Sequence, residues 1–354
     1  MPLRPRALNA YIEGTKILGN PSSIHKFGQD AKKHLRLATS KIADLLNVSP
    51  ENLIFTSGGT ESNNTALQAI SGAKIFLSPL EHPSLSNAAE KPIMLSMTLD
   101  GAVSIPESSD LGAQKNLISL IWAHNETGIL QDLDPFLEFS NANPTAFLHV
   151  DAIQALGRIP LKKLFESHMV SLSSHKIGGP LGVGLLVLKK GLSLHPLIQG
   201  GGQQKGLRSG TENMPGIMGF AEALEEALSE QHNNRWHEVE ILRDHMETQI
   251  QGFLPSSLIV GKSAKRLPNT SCLSMPGVES MTQLVAFDLE GIAISSGAAC
   301  SSGTVKVSLS LQALQIPKNH MSSMIRISLG LATTKNDIES FVTTFQKIYR
   351  KNME

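Results

Sequence analysis

The feature that most limits how this chain can fold is an alternation: short apolar runs of strand length recur, separated by turn-rich or helix-patterned stretches. The runs are Asn52 to Thr56, Lys74 to Leu77, Leu117 to Ala123, Phe147 to Val150, Met169 to Leu172 and Val183 to Leu188. Between them, Leu35, Ala38, Ile42, Leu45 and Leu46 share one helical face that Asn47 and Pro50 bring to an end. Glu61 to Ile70 suits a second helix, entered through the turn Ser57-Gly58-Gly59-Thr60. Strands alternating with helices predict an α/β domain with a largely parallel sheet. Farther on, Ile217, Phe220, Leu224 and Leu228 line one helical face, and Val239, Leu242, Met246 and Ile250 begin another pattern. A boundary between them gives a large α/β domain over 14–231 and a smaller α+β domain over 232–354, with strands at Ser271 to Ser274 and Met324 to Ser328. Residues 1–13 are expected to pack on the smaller domain.

Composition removes several classes of function. Lys plus Arg number 31 and Asp plus Glu number 31, so no basic field points to nucleic acid. The apolar runs fall far short of the roughly 20 residues that span a bilayer, and the charged start Met-Pro-Leu-Arg-Pro-Arg lacks an apolar continuation. No membrane partner and a cytoplasmic location are the expectations. Two cysteines, Cys272 and Cys300, build neither a disulfide framework nor a Cys-rich metal site, so no metal is expected.

The unusual polar residues fall just after the strand candidates: Ser57 to Thr60, then Glu81-His82, His124-Asn125-Glu126, Asp151 with Gln154, and Ser173, His175 and Lys176. In open α/β sheets, ligands bind where strands end, so these clusters are candidates to line one crevice. Taken alone each is ambiguous. Ser57 to Thr60 is either an ordinary turn or an anion cradle at a helix N-terminus. Asp151 is either a helix N-cap or the partner of a protonated ring nitrogen. Lys176, between His175 and a glycine-rich turn, is either solvated or a Schiff-base lysine held beside a phosphate site. Arg326 faces solvent or forks onto a substrate carboxylate. Cys300 lies among serines, glycines and alanines, which favours a reactive thiol, whereas Cys272 in a strand-like run fits burial.

In this order the motifs closely resemble the cysteine desulfurases, the NifS/IscS-like branch of the class V aminotransferase family. The resemblance runs from Asn20-Pro-Ser-Ser-Ile-His through Thr56-Ser-Gly-Gly-Thr-Glu-Ser-Asn-Asn, Glu81-His, His124-Asn-Glu-Thr-Gly, His149-Val-Asp-Ala-Ile-Gln-Ala and Ser174-His-Lys. It continues through Gly200-Gly-Gly-Gln, Arg208-Ser-Gly-Thr and Ser295-Ser-Gly-Ala-Ala-Cys to Arg326-Ile-Ser-Leu-Gly, nearly the whole chain. It implies the fold type I of transferases dependent on pyridoxal 5'-phosphate (PLP): a mainly parallel seven-stranded sheet with flanking helices, plus a smaller α+β domain.

By the same resemblance Lys176 carries the cofactor, Asp151 pairs with its pyridine nitrogen, Gln154 bonds its phenolic oxygen and His82 stacks on its ring. Gly59, Thr60, Ser173 and His175 hold the phosphate, and Thr211 reaches the phosphate of the neighbouring subunit in a homodimer. Asn125, also counted among the cofactor contacts, joins Arg326 on the substrate carboxylate. Lys176, Cys300 and His82 are the implied catalytic groups, and a positive His82 is expected to help ionise the Cys300 thiol. The implied reaction takes L-cysteine to L-alanine and leaves a persulfide on Cys300 for a sulfur-acceptor or iron-sulfur scaffold protein, with transient contact to a cluster. The alternatives are a selenocysteine lyase, another PLP enzyme of the class, or an impaired scaffold.

The sequence departs from the pattern in places. The family opens with an Asp-Asn-Ala-Ala-Thr-Thr-Pro-like segment that walls the substrate site, and no counterpart is seen here, which implies a misplaced start or a site without part of its floor. Leu181, Gln204 and Leu331 stand where lysine, glutamate and arginine are frequent.

Overall fold

Every strand expected in the large domain forms, within a residue or two of its predicted limits. They are β1 (Leu53–Thr56), β2 (Lys74–Leu77), β4 (Asn116–Ile121), β5 (Ala146–Asp151), β6 (Met169–Ser173) and β7 (Gly184–Leu188), with a two-residue β3 (Ile93–Met94) that the apolar pattern was too short to reveal. The computed structural model describes residues 1–296, 300–301, 304–305 and 308–353, the side chains of 300, 301, 304 and 305 excepted. The strands form one sheet in the order β1-β7-β6-β5-β4-β2-β3. Neighbours from β3 through β6 are parallel, and β7 is antiparallel to both β6 and β1. β1 therefore runs with the parallel block, so β1, β2, β4, β5 and β6 all end at the same edge. β4 and β6 are buried along their whole length, as a sheet covered on both faces requires.

Helices cap where the sequence provides for it. His25 accepts from the Gly28 amide at the start of the helix Lys26–Leu46, and Asn47 ends it in the left-handed conformation. A helix over Pro5–Thr15, begun by a proline at its first turn, packs on the helix Met214–His232. Residues 1–13 thus belong to the first unit, whereas the sequence alone assigns them to the smaller domain. The cause is local: Ala7 is fully buried, and the Arg4 guanidinium bonds both carboxylate oxygens of Glu230 at 2.8 and 2.5 Å.

The first compact unit comprises 1–96, 105–122 and 132–233, and the second 97–104, 123–131 and 234–354. The division thus departs from a single cut near 231, because 123–131 is stitched into the second unit's backbone. Leu267 donates to the Gly128 carbonyl at 2.7 Å, and Leu130 donates to the Lys265 carbonyl at 2.8 Å. The second unit carries an antiparallel sheet of β8 (Thr270–Ser274), β12 (Met324–Ser328) and β9 (Ser295–Ser296). Its core includes Trp236, Phe287, Phe341 and Phe345, with the rings of Phe287 and Phe341 stacked 4.9 Å apart. Cys300–Ser301 (β10) pairs with Thr304–Val305 (β11) in a separate two-stranded ladder. Among the described residues no helix is long and apolar enough to cross a membrane.

One polar chain crosses the middle of the large sheet. His149 of β5 is fully buried, with Nδ1 2.8 Å from Ser119 Oγ of β4 and Nε2 2.9 Å from Ser171 Oγ of β6. Burial pushes its pKa down to about 3. Between about pH 3 and the ordinary histidine value of about 6.5 the unfolded chain therefore binds a proton that the folded chain refuses. The stability this group contributes is complete above about pH 6.5 and is lost as pH falls, by at most about 1.4 kcal/mol per pH unit. Urea unfolding at pH 7 and pH 5 checks it: His149→Gln should flatten the dependence on pH, and an unchanged slope would refute this source of acid sensitivity.

Candidate active site

The edge where the parallel strands end carries most of the residues singled out from the sequence. After β1 the chain turns at Gly58 and enters the helix Gly59–Gln68, where Gly59 is buried and Thr60 exposed. A Cβ added to Gly59 would lie 2.3 Å from Ile153 Cδ1, a side-chain tip that would have to swing aside, and 3.6 Å from Ser173 Cβ, so this helix start packs closely against the end of β6 and the segment after β5. Ser173 is fully buried and shares a 2.9 Å hydrogen bond with His175 Nδ1. A helix N-terminus, two hydroxyl residues and a histidine make a chemically apt cradle for a dianion.

Asp151 closes β5 and is 3% exposed. Its Oδ1 accepts from the Ile153 amide at 3.0 Å and its Oδ2 from Asn63 Nδ2 at 2.8 Å. Asn63 Nδ2 also donates to Ser84 Oγ at 2.9 Å, and the Ser84 hydroxyl lies 2.8 Å from His82 Nδ1. The Ser84 amide donates to the same nitrogen at 3.1 Å, which makes Nδ1 the acceptor and leaves the ring proton on Nε2. Asn63 and Ser84 were not singled out from the sequence. Their signal was available, since Asn63 lies three residues after Thr60 in the same motif and Ser84 two residues after His82.

The charges in this region act on one another. Burial raises the Asp151 pKa, while Asn63, the Ile153 amide, His82 and Lys176 pull against the rise. His82 is held below its ordinary value by desolvation and by Lys176, against the pull of Asp151. Burial and the neighbouring cation thus work against the positive His82 that was expected and favour the neutral imidazole, with Nε2–H as a donor. Glu81 is 6% exposed, accepts from the Ile121 amide at 2.7 Å, and is pushed well above its ordinary pKa by burial and by Asp151. That shift favours its protonated form.

Lys176 is half-buried in the single turn Ser174–Ile177 that follows β6. Gln154 is half-buried just beyond β5. Thr211 is exposed in the 200–213 loop, which is pinned from both sides. Arg208 bonds Glu61 at 2.8 and 3.2 Å. The Gln204 side chain pairs with the backbone of β1, accepting from the Phe55 amide at 2.6 Å and donating to its carbonyl at 2.8 Å. A glutamate there would lack the donor, which gives the Gln204 departure a local reason.

Asn125 and Arg326 belong to the second unit. There Arg326 donates to the Asn125 carbonyl and to Ser295 Oγ, each at 3.0 Å. Neighbouring Glu126 accepts from Ser308 Oγ at 2.6 Å and is raised in pKa by burial. The Cys300 side chain lies outside the described residues. Cys272 is buried, as its flanks predict, and burial pushes its thiol up to about 12, so it is inert at physiological pH.

An α/β fold with lysine, aspartate and histidine sharing one sheet edge defines a class of protein, and the comparisons with known proteins narrow it. The model of the family "Aminotransferase class-V" matches residues 4–341. A cysteine desulfurase of Cereibacter sphaeroides is 36% identical over 98% of this chain and 92% of its own. The cysteine desulfurase NifS of Azotobacter vinelandii is 34% identical over 93% of this chain and 85% of its own. The X-ray structure of a NifS-like protein from Rickettsia africae superposes with a TM-score of 0.89 at 32% identity, covering 99% of this chain and 97% of that one. The chain belongs to the class V aminotransferase family, and its mainly parallel seven-stranded sheet is that of PLP fold type I.

The Asp151–Asn63–Ser84–His82 chain is open to a direct test. Asn63→Leu removes one donor from a buried carboxylate and one from a buried hydroxyl, and should cost about 2 kcal/mol in urea unfolding. A loss below roughly 0.5 kcal/mol, the size of an ordinary surface substitution, would contradict the network.

Proposed function

We propose that this protein is a PLP-dependent cysteine desulfurase that takes sulfur from L-cysteine, leaves L-alanine and holds the sulfur on Cys300 as a persulfide. The observation that carries the reading is the mutual electrostatic influence of Lys176, Asp151 and His82 at the edge where the parallel strands end. Near full-length relatives named as cysteine desulfurases support it.

The donor set fits the cofactor. Gly59 and Thr60 with Ser173 and His175 would hold the phosphate, Asp151 the pyridine nitrogen, Gln154 the phenolic oxygen and Lys176 the aldehyde carbon, with His82 over the ring. Bound there, the cofactor supplies an electron sink for a carbanion at the substrate Cα. Asp151 suits a pyridinium partner because a buried carboxylate gains most from a cation that arrives with the ligand.

The remaining chemistry belongs to side chains. Arg326 and Asn125 orient the substrate carboxylate, and the Lys176 amine takes the proton from Cα. The Cys300 thiolate attacks the substrate sulfur, the carbon-sulfur bond breaks, Cβ accepts the proton that the thiol released, and Cα recovers its proton from Lys176. L-cysteine and a thiol become L-alanine and a persulfide, with atoms and electrons balanced. A thiol with a pKa of about 8.5 is only a few per cent ionised near neutrality, so a donor must stabilise the thiolate, and His82 offers its Nε2–H. A persulfide on Cys300 then passes to a sulfur-acceptor or iron-sulfur scaffold protein. The exposed Thr211 suits a homodimer in which it reaches the partner subunit's phosphate site. A thiol that cycles through a persulfide suits the reducing cytoplasm.

With PLP, L-cysteine and a reductant, the wild-type chain should release sulfide and alanine in equal amounts. Cys300→Ser should keep the visible cofactor absorbance and lose sulfide release by two or more orders of magnitude, roughly what removing a covalent nucleophile costs. Lys176→Ala should lose that absorbance band. Full sulfide release from Cys300→Ser, or a band that persists in Lys176→Ala, would overturn the respective role.

A further inference from the structure

The turn that carries Lys176 is too short to satisfy its own backbone. Ser174–Ile177 is a single 3-10 turn that exits through Gly178 at φ 79°, so the carbonyls of Lys176, Ile177 and Gly178 point out of it with no following turn to bond them. Each finds a donor from elsewhere in the first unit. Arg158 NH2 donates to the Lys176 carbonyl at 2.9 Å. Arg4 Nε donates to the Ile177 carbonyl at 2.7 Å, and the Arg4 backbone amide donates to the Gly178 carbonyl at 2.8 Å.

Both arginines are themselves held. Arg158 also donates through NH1 to the Gln154 carbonyl at 2.6 Å, and its Nε is sealed from solvent. Its charge survives burial, since its pKa falls only to about 10. Arg4 is fixed by its two bonds to Glu230. One planar guanidinium therefore ties the backbone of Gln154 to that of Lys176. Lysine, with one flexible ammonium, does not reproduce such a fork.

We propose that Arg158 and Arg4 are positioning residues that clamp the carbonyl end of the Lys176 turn, Arg158 fixing Lys176 relative to Gln154. The assignment rests on the reading of Lys176 and Gln154 as cofactor contacts, and it adds residues that the sequence motifs did not include. The clamp fixes the lysine's backbone, which narrows the space its flexible side chain must search. Two guanidinium groups at the negative end of a turn are also the favourable electrostatic arrangement.

The test uses the full chain in wild-type form and as Arg158→Met, Arg158→Lys and Arg4→Gln. Two readouts are taken: amide hydrogen exchange of residues 174–179 in cofactor-free protein, and the rate at which the visible band grows on mixing with PLP. Arg158→Met should speed local exchange and slow band growth by about tenfold each, the effect of losing one charge-assisted hydrogen bond. Arg158→Lys should recover part of both, and Arg4→Gln should speed exchange in the same segment. If Arg158→Met does not fold, the other two variants decide by the same measures. A lower melting temperature with wild-type exchange and wild-type band growth would reduce both arginines to ordinary structural residues and overturn the proposal. No band in the wild-type chain would defeat the reading of Lys176 instead, and the exchange measurement alone would then decide the clamp.

Discussion

Everything in the candidate site follows from strand direction. β1, β2, β4, β5 and β6 end at one edge, so residues as far apart in sequence as Gly59 and Lys176 leave the sheet on the same side. β7 is reversed, and that reversal matters locally. Gly184 pairs with Thr56 on one side and Ser173 on the other, which locks the ends of β1 and β6 into register. A slip of one residue in that pairing would turn Ser173 to the opposite face.

Burial then sets the charge of each group. Glu81 and Asp151 are both enclosed at this edge, and both are raised in pKa by desolvation. Two enclosed carboxyls cannot both stay ionised cheaply, and Asp151, which accepts from Asn63 and the Ile153 amide, is better stabilised as an anion than Glu81, which accepts from the Ile121 amide. His149 of β5 is kept neutral by burial, with a serine hydroxyl at each ring nitrogen. The result is an enclosed carboxylate, Asp151, whose charge Lys176 and His82 help to stabilise.

Much of this was legible in the sequence because the parallel core needs continuous apolar runs and the chemistry needs unusual residues where the runs stop. The strands β1, β2 and β4 to β7, the turn at Gly58 and the placing of Asp151 and Lys176 just where strands end all followed from that pattern. What escaped has common causes. β3 has two residues, too few to show a period. The helix Pro5–Thr15 is held on Met214–His232 partly by Arg4 and Glu230, an ion pair spanning more than two hundred positions that no local pattern records. The charge of His82 depends on Lys176 and Asp151 in space, and the sequence around His82 gives no sign of it. No motif marks Arg158, yet it bonds the Lys176 carbonyl across eighteen positions.

The central claim is that Lys176, and no other lysine, meets the cofactor at the end of β6. Borohydride reduction of the protein mixed with PLP, followed by proteolysis and mass spectrometry, would fix the label where the bond forms. The account predicts one stoichiometric label, on the peptide containing Ser174 to Ile177. A label spread over exposed lysines, or concentrated on a different one, would contradict it.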